Sequence, residues 1–254
     1  MNARLQPVPE SALDMDTDPF ICFRLRQGVL ADLRQGSSPT TFSGWQGMPL
    51  DLPENATHFA YVHAGAAYIE CSAGRFTLAP GMYLSIAGTG RISGEGQGIV
   101  LTRHGTRGMF QIGGPVEGRG RLNYIDGCTD SLLIPPVLKG DACLNLLCFP
   151  KGIDQTAHTH PSLRAGMVIS GSGLCHTSRG TLPLLAGQPF LIHADQLHAF
   201  STPDEGMRVI AFHPDSDFGP THQNHPMINR TMVNGVSASR IDGIQTRKVP
   251  DALD

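Results

Sequence analysis

Long apolar runs are missing from this sequence, and so is any block of basic residues. No stretch approaches the ~20 consecutive apolar residues of a membrane-spanning helix. The opening residues, Met1 to Glu10, lack the apolar core of a secretory signal. Charged residues make up only 16%, the net charge is −3, and the 19 Lys and Arg are dispersed. Binding to nucleic acid or to an anionic membrane surface needs clustered cations, so neither partner is expected. The cysteines (Cys22, Cys71, Cys128, Cys143, Cys148 and Cys175) include no Cys-x-x-Cys pair, and buried free thiols are expected rather than disulfides. With 30 Gly and 19 Pro in 254 residues, the chain is rich in turns and poor in long helical patterns. These absences lead to the expectation of a soluble, cytoplasmic protein.

What is present is a succession of short apolar runs, rich in β-branched and aromatic residues and cut by Gly and Pro. His58–His63, Ala67–Cys71, Met82–Ile86 and Gly98–Thr102 are examples in the first half; Cys143–Phe149, Ala165–Ser170, Pro189–His193 and Met207–His213 are their counterparts in the second. Such runs read as antiparallel strands. The expected division is a lead-in segment over residues 1–40, an all-β unit over 41–114, a glycine-rich and proline-bounded crossover over 115–140, a second all-β unit over 141–213, and a polar extension over 214–254. Within the lead-in, Phe20–Phe23 is the one apolar patch; it reads as a strand or short helix, available for exchange between subunits of a dimer. The two units share a phrase. Phe59–Gly65 aligns with Ala165–Gly171 and Phe76–Gly81 with Leu182–Gly187, and each pair of closing glycines is 16 positions apart. This is an internal repeat.

The chemistry concentrates between Gly152 and Gly171. His158 and His160, one residue apart, fall on the same face of a strand. That placement suits two ligands of one metal ion, since neutral imidazole binds zinc, iron, copper and nickel.

This segment resembles the first motif of the cupin family, G-x5-H-x-H-x3-4-E-x6-G, read here as Gly152, His158, His160, Arg164 and Gly171. The second motif, G-x5-P-x-G-x2-H-x3-N, reads as Gly187, His193, Asp195, His198 and Thr202, so its glycine and its histidine are kept. The resemblance implies an all-β protein of two cupin-type double-stranded β-helix (jelly-roll) barrels, often paired as a homodimer. It implies His158, His160 and His198 as a three-histidine metal site; residues lining a metal-free barrel are the alternative. A bicupin follows, with a degenerate first barrel, because the repeat register puts Leu52, Glu54, His58 and Ile92 at the four ligand positions. Those residues supply too few donors for a metal.

Arg164 stands where the family has its glutamate. A guanidinium has no lone pair to give a cation. Either Arg164 turns from the metal to grip a substrate carboxylate in a two-pronged hydrogen bond, or it faces solvent. The first arrangement is similar to the thiol dioxygenase branch of the cupins, which uses three histidines without the carboxylate. Asp195, His193, His176 and His213 lie close enough in sequence to offer a fourth ligand. Of these, His176 reads as a hydrogen-bonded wall residue and Asp195 as a turn former. His222 and His225 make a second metal pair only if helical.

The function this implies is a non-haem Fe(II) dioxygenase or related oxidoreductase acting on a small carboxylate-bearing metabolite, with Arg164 as the catalytic-site anchor. Zn, Ni or Mn in the same site implies a redox-neutral lyase, isomerase or bond-forming enzyme. A non-catalytic small-molecule binder is the reading from outside enzymology.

Overall fold

The apolar runs become strands buried on both faces, because each pleat serves two cores. The computed structural model describes residues 18–244, so residues 1–17 of the expected lead-in and 245–254 of the expected extension lie outside the described residues. The first half contains β1 (Phe20–Cys22), β2 (Gly28–Leu33), β3 (Thr40–Gln46), β4 (Leu50–Leu52), β5 (Ala56–Ala64), β6 (Ala67–Cys71), β7 (Gly74–Leu78), β8 (Tyr83–Ala87), β9 (Gly90–Ser93), β10 (Gln97–His104) and β11 (Gln111–Gly113). Strands β11-β8-β5-β10-β3-β2 form one antiparallel sheet and β4-β9-β6-β7 another.

The second half contains β12 (Leu122–Asn123), β13 (Thr129–Ile134), β14 (Cys143–Phe149), β15 (Arg164–Thr177), β16 (Gly180–Leu185), β17 (Pro189–Ile192), β18 (His198–Ser201) and β19 (Met207–His213). Its strand order is β1-β17-β15-β19-β14-β13-β12, with β16 and β18 also paired to β15. The 14-residue β15 serves both layers of this barrel: Arg164–Gly171 pairs with β17 and β19, and Ser172–Thr177 with β16 and β18. Gly171 is the hinge. Its φ is +71°, and a Cβ there would lie 1.8 Å from the Gly206 carbonyl oxygen. The repeat partner Gly65 has φ +66° and an equally blocked position, 2.6 Å from the Gly96 Cα. The repeated glycines therefore mark the same sheet-switching bend, where only glycine fits.

Alternation along the strands divides the side chains among three cores. Phe59 and Tyr61 of β5, Ile99 and Leu101 of β10, Leu144 and Leu146 of β14, and Ile210 and Phe212 of β19 meet in a cluster between the two halves. The Phe59 and Phe212 rings are 5.1 Å apart there. The intervening residues point the other way. Ala60 and Val62 join Trp45, Leu52, Ile69 and Ile86 inside the first barrel, while Phe149, Phe190, Phe200 and Val209 line the inside of the second.

Three placements differ from the sequence reading, the first being β2, which lies within the expected lead-in yet pairs with β3 in the first sheet. Phe20–Cys22 is a strand, and it pairs with Phe190–Ile192 of the second barrel rather than with the sheets of the first. Burying Phe20 against Phe190 and Phe200 explains the choice. Residues 122–123 and 129–134, expected within the crossover, form β12 and β13 of the second barrel's sheet, β13 pairing with β14 and β12 ending the sheet. The extension folds as α1 (Pro226–Arg230) and a hairpin of β20 (Met232–Val233) and β21 (Val236–Ser237). The helix begins after His225, which caps it, so His222 and His225 share no helical face. All six cysteines are free thiols, and Cys71 alone among them is not buried. No helix among the described residues is long and apolar enough to cross a membrane.

Candidate metal centre

The segment leading to β15 is held against β18 by isolated bridges rather than a continuous ladder, Asp154↔Ser201 and His158↔His198. The expected strand is thus an irregular extended stretch, though its two histidines still reach one place. Thr202, at the position of the family's asparagine, ties down its start. The Thr202 hydroxyl donates to the Pro150 carbonyl at 2.5 Å and accepts from the Ile153 N–H at 3.1 Å.

His158, His160 and His198 bring one ring nitrogen each to within 4.8 Å of one another. Two of the rings have their tautomers fixed. His158 Nδ1 lies 2.8 Å from the Thr156 carbonyl and His198 Nδ1 lies 2.9 Å from the Gln196 carbonyl. A carbonyl only accepts, so both Nδ1 atoms carry the proton and both Nε2 atoms are left with a lone pair. His198 Nε2 is buried without a hydrogen-bond partner. Burial, and then the Arg164 charge and the neighbouring imidazoles, hold His160 at about 3; burial above all holds His198 at about 4. Both rings are therefore neutral near pH 7, the form that ligates. The donor set fits a divalent transition metal: three converging imidazoles, each with one ring nitrogen turned to a common place.

Arg164 does not face solvent. It lines the same cavity, and its Nη1 donates to the Ser162 carbonyl, the Ser162 hydroxyl and the Leu163 carbonyl at 3.1, 2.7 and 2.9 Å. The Ser162 hydroxyl in turn donates to Asp215 at 2.6 Å. The Arg164 Nε is buried and has no partner. The guanidinium is thus anchored by one end with a donor left over.

The cavity measures about 130 Å³. Its wall also holds Asp130 of β13, Asn145 of β14 and His213 of β19. His213 is kept neutral by burial and then by the Arg164 charge, its pKa falling well below the ordinary value. None of the four candidate extra ligands joins the histidine cluster. His176 is bonded to Thr181 and Ser201 hydroxyls at 3.0 and 2.7 Å, as its strand position suggested. Asp195 occupies the turn with φ +59° and gives its N–H to the His160 carbonyl.

The sequence reading missed Asp130 and Asn145. Their signal was a polar residue inside an apolar run, Cys143–Phe149, and an acidic one hidden in what read as a crossover.

The equivalent place in the first half is filled. Leu52 pairs with Gly90, which also pairs with Cys71, just as His158 faces His198 and His198 pairs with Thr177. Gly90 rather than Ile92 therefore occupies the position of His198, because the turn from Ile86 is two residues shorter than the one from Ile192. A Cβ on Gly90 would meet Ile86 Cδ1 at 2.8 Å and Leu52 Cδ1 at 3.4 Å, so there is no room for a ligand. His58, at the position of Arg164, is buried, bonded to the Thr102 hydroxyl and the Pro53 carbonyl at 2.9 Å each. Glu54 is exposed.

Comparison with known proteins agrees with this architecture. No family matches by sequence, and no curated protein does. Among solved structures, a cupin 2 conserved barrel domain protein from Leptotrichia buccalis superposes with a TM-score of 0.51 at 14% identity, over 80% of this chain and 92% of that one. Salicylate 1,2-dioxygenase from Pseudaminobacter salicylatoxidans gives 0.55 at 12% identity, over 74% and 76%. Oxalate decarboxylase from Bacillus subtilis, studied for its Mn(II) centres, gives 0.50 at 14% identity, over 83% and 81%. The chain has the cupin jelly-roll fold. At these identities the likeness reaches no further than the fold.

Proposed function

We propose that the chain is a metal-dependent enzyme of the cupin fold that binds Fe(II) through His158, His160 and His198 and oxidises a small anionic metabolite held by Arg164. The observation that carries this reading is the convergence of three imidazoles within 4.8 Å, two of them with carbonyl partners that leave Nε2 free. Iron bound by three neutral nitrogens would supply open adjacent positions for oxygen and substrate. The surrounding residues do the rest. Arg164, anchored through Nη1, presents Nε to an anionic group, and a charge-assisted bond there orients the substrate against the histidine face. Phe190, Ile192 and Phe200 form the apolar walls that exclude bulk water. A cavity of about 130 Å³ is below the ~300 Å³ at which drug-sized ligand sites begin, which favours a small metabolite over a polymer end.

Two solved neighbours, a dioxygenase and a manganese decarboxylase, share this fold while using different chemistry. Metal identity is therefore the deciding measurement. Elemental analysis of the purified chain is expected to find stoichiometric iron, with oxygen uptake in the presence of small carboxylates. Stoichiometric zinc, nickel or manganese without oxygen uptake would favour a lyase or isomerase through the same residues. His160→Ala is expected to strip the metal; unchanged metal content in that variant overturns the site. The first barrel, whose interior is filled by Leu52, Ile86 and Ile92, completes this reading as a structural partner without a metal.

A further inference from the structure

Of the buried side-chain polar atoms without a partner among the described residues, three belong to residues that line the one cavity: His198 Nε2, Arg164 Nε and Asn145 Oδ1. The first two are met by a metal and an anion. The third is an acceptor, and neither a cation site nor an anion anchor explains it.

Asn145 and Asp130 are diagonal neighbours on the inner face, since Asp130 pairs with Leu147 and Asn145 with Leu132 on adjacent strands. The Asn145 Nδ2 donates to both carboxylate oxygens of Asp130, at 3.1 and 2.9 Å. Reversing the amide would set Oδ1 against that carboxylate, acceptor against acceptor, so the pair fixes which way the amide points. Burial raises the Asp130 pKa, and the Asn145 hydrogen bond works in the opposite direction. Asn145 is only 6% exposed, so Oδ1 cannot be satisfied by bulk solvent. A buried acceptor needs a donor, and a ligand in the cavity that Asn145 lines is placed to give one.

We propose that Asn145 is a specificity-determining residue whose Oδ1 accepts a hydrogen bond from the substrate, so that the substrate class is a small carboxylate that also bears a hydroxyl or amino group. This rests on the reading of Arg164 as the anion anchor. Asp130 acts as a positioning residue: it holds the amide in the accepting orientation. A carboxylate lacking the donor would leave Oδ1 dry and unpaired, which discriminates against it by roughly tenfold or more.

The test uses the full chain loaded with zinc, so that no oxidation intervenes, and calorimetric titration with matched acids. The probes are propionate against lactate, 3-hydroxypropionate and β-alanine, and benzoate against its three hydroxy derivatives. At least one donor-bearing acid is expected to bind tenfold or more tightly than its parent. Asn145→Leu is expected to abolish that preference while affecting the parent acids much less. The near-isosteric Asp130→Asn, which releases the amide, is expected to weaken the preference and guards against misfolding of the first variant. Equal binding of parent and derivative throughout, or a preference that survives both substitutions, overturns the proposal. Failure of the anchor itself has a different signature: Arg164→Leu then leaves the affinity of every acid unchanged, or no acid binds at all, and the proposal falls with it.

Discussion

His158 and His198 face each other across a single antiparallel bridge, each giving its backbone N–H to the other's carbonyl at 2.9 and 3.0 Å, with ring centroids 4.6 Å apart. The approach of these two rings is therefore set by backbone pairing. The hydroxyl of Thr202 secures the same segment four residues beyond His198. Thr202→Val removes both hydroxyl hydrogen bonds but keeps the backbone bonds to Gly152 and Ile153, and is expected to weaken metal binding by less than the about 10–100-fold seen on losing a partner bonded directly to a ligand. Competition with a chelator measures this, and an unchanged affinity would show that the bridge alone suffices.

Under the proposed function, Arg164 distinguishes anion binding from metal binding. Arg164→Leu deletes a charged donor and is expected to cost anionic ligands about 1.5–3 kcal/mol, while metal affinity changes far less. Arg164→Lys keeps a charge but loses the planar fork and the Nη1 anchorage to Ser162, and is expected to recover only part of the loss. Titrations with a small carboxylate and with the metal, run on both variants, decide the matter; a parallel fall in both affinities would remove the anchor.

Stability should depend on pH through His58. Burial pulls its pKa below the ordinary value, outweighing the hydrogen bond to the Pro53 carbonyl. The unfolded chain binds that proton near pH 6.5 and the folded chain only at lower pH. Stability is accordingly complete above pH ~6.5 and declines as pH falls, by at most ~1.4 kcal/mol per unit for this one group. Urea denaturation of metal-free protein at neutral and mildly acidic pH is expected to show a smaller loss for His58→Gln than for the parent chain. An identical loss in the two proteins would assign the effect elsewhere.

The contact between halves is a hydrophobic one, and Phe212 is fully buried in it against Phe59. Phe212→Ala is expected to cost about 3–5 kcal/mol in denaturation. Because the inner face of β19 carries Val209 and Ala211 rather than Phe212, metal content per folded molecule should stay the same. Loss of metal at full folding would mean that the two faces of β19 are coupled.

Much of the architecture was legible because strands carry their pattern locally. Runs such as Met207–His213 announced both their type and their burial, and the glycines at 65 and 171 carried the repeat because a positive φ admits little else. His158 and His160 were legible through their spacing, and His198 through the resemblance to the second cupin motif. Three things were not. The pairing of Phe20–Cys22 with β17 depends on a contact about 170 positions away, which no local pattern reports. The displacement of Ile92 by Gly90 comes from a turn two residues shorter, invisible to a repeat register anchored upstream. Asp130 and Asn145 acquire meaning only when β13 and β14 lie side by side.

The pairing of β1 has a further consequence for how the gene can be divided. A fragment beginning at the crossover would encode the histidines, Arg164 and Asn145, yet it would lack Phe20–Cys22 and so leave the outer hydrogen-bonding edge of Phe190–Ile192 bare. The unit that folds around the candidate metal centre is thus discontinuous in sequence. A deletion or domain fusion that respects the internal repeat would cut through it, and a shortened version would have to carry the first strand along, or borrow one from another molecule.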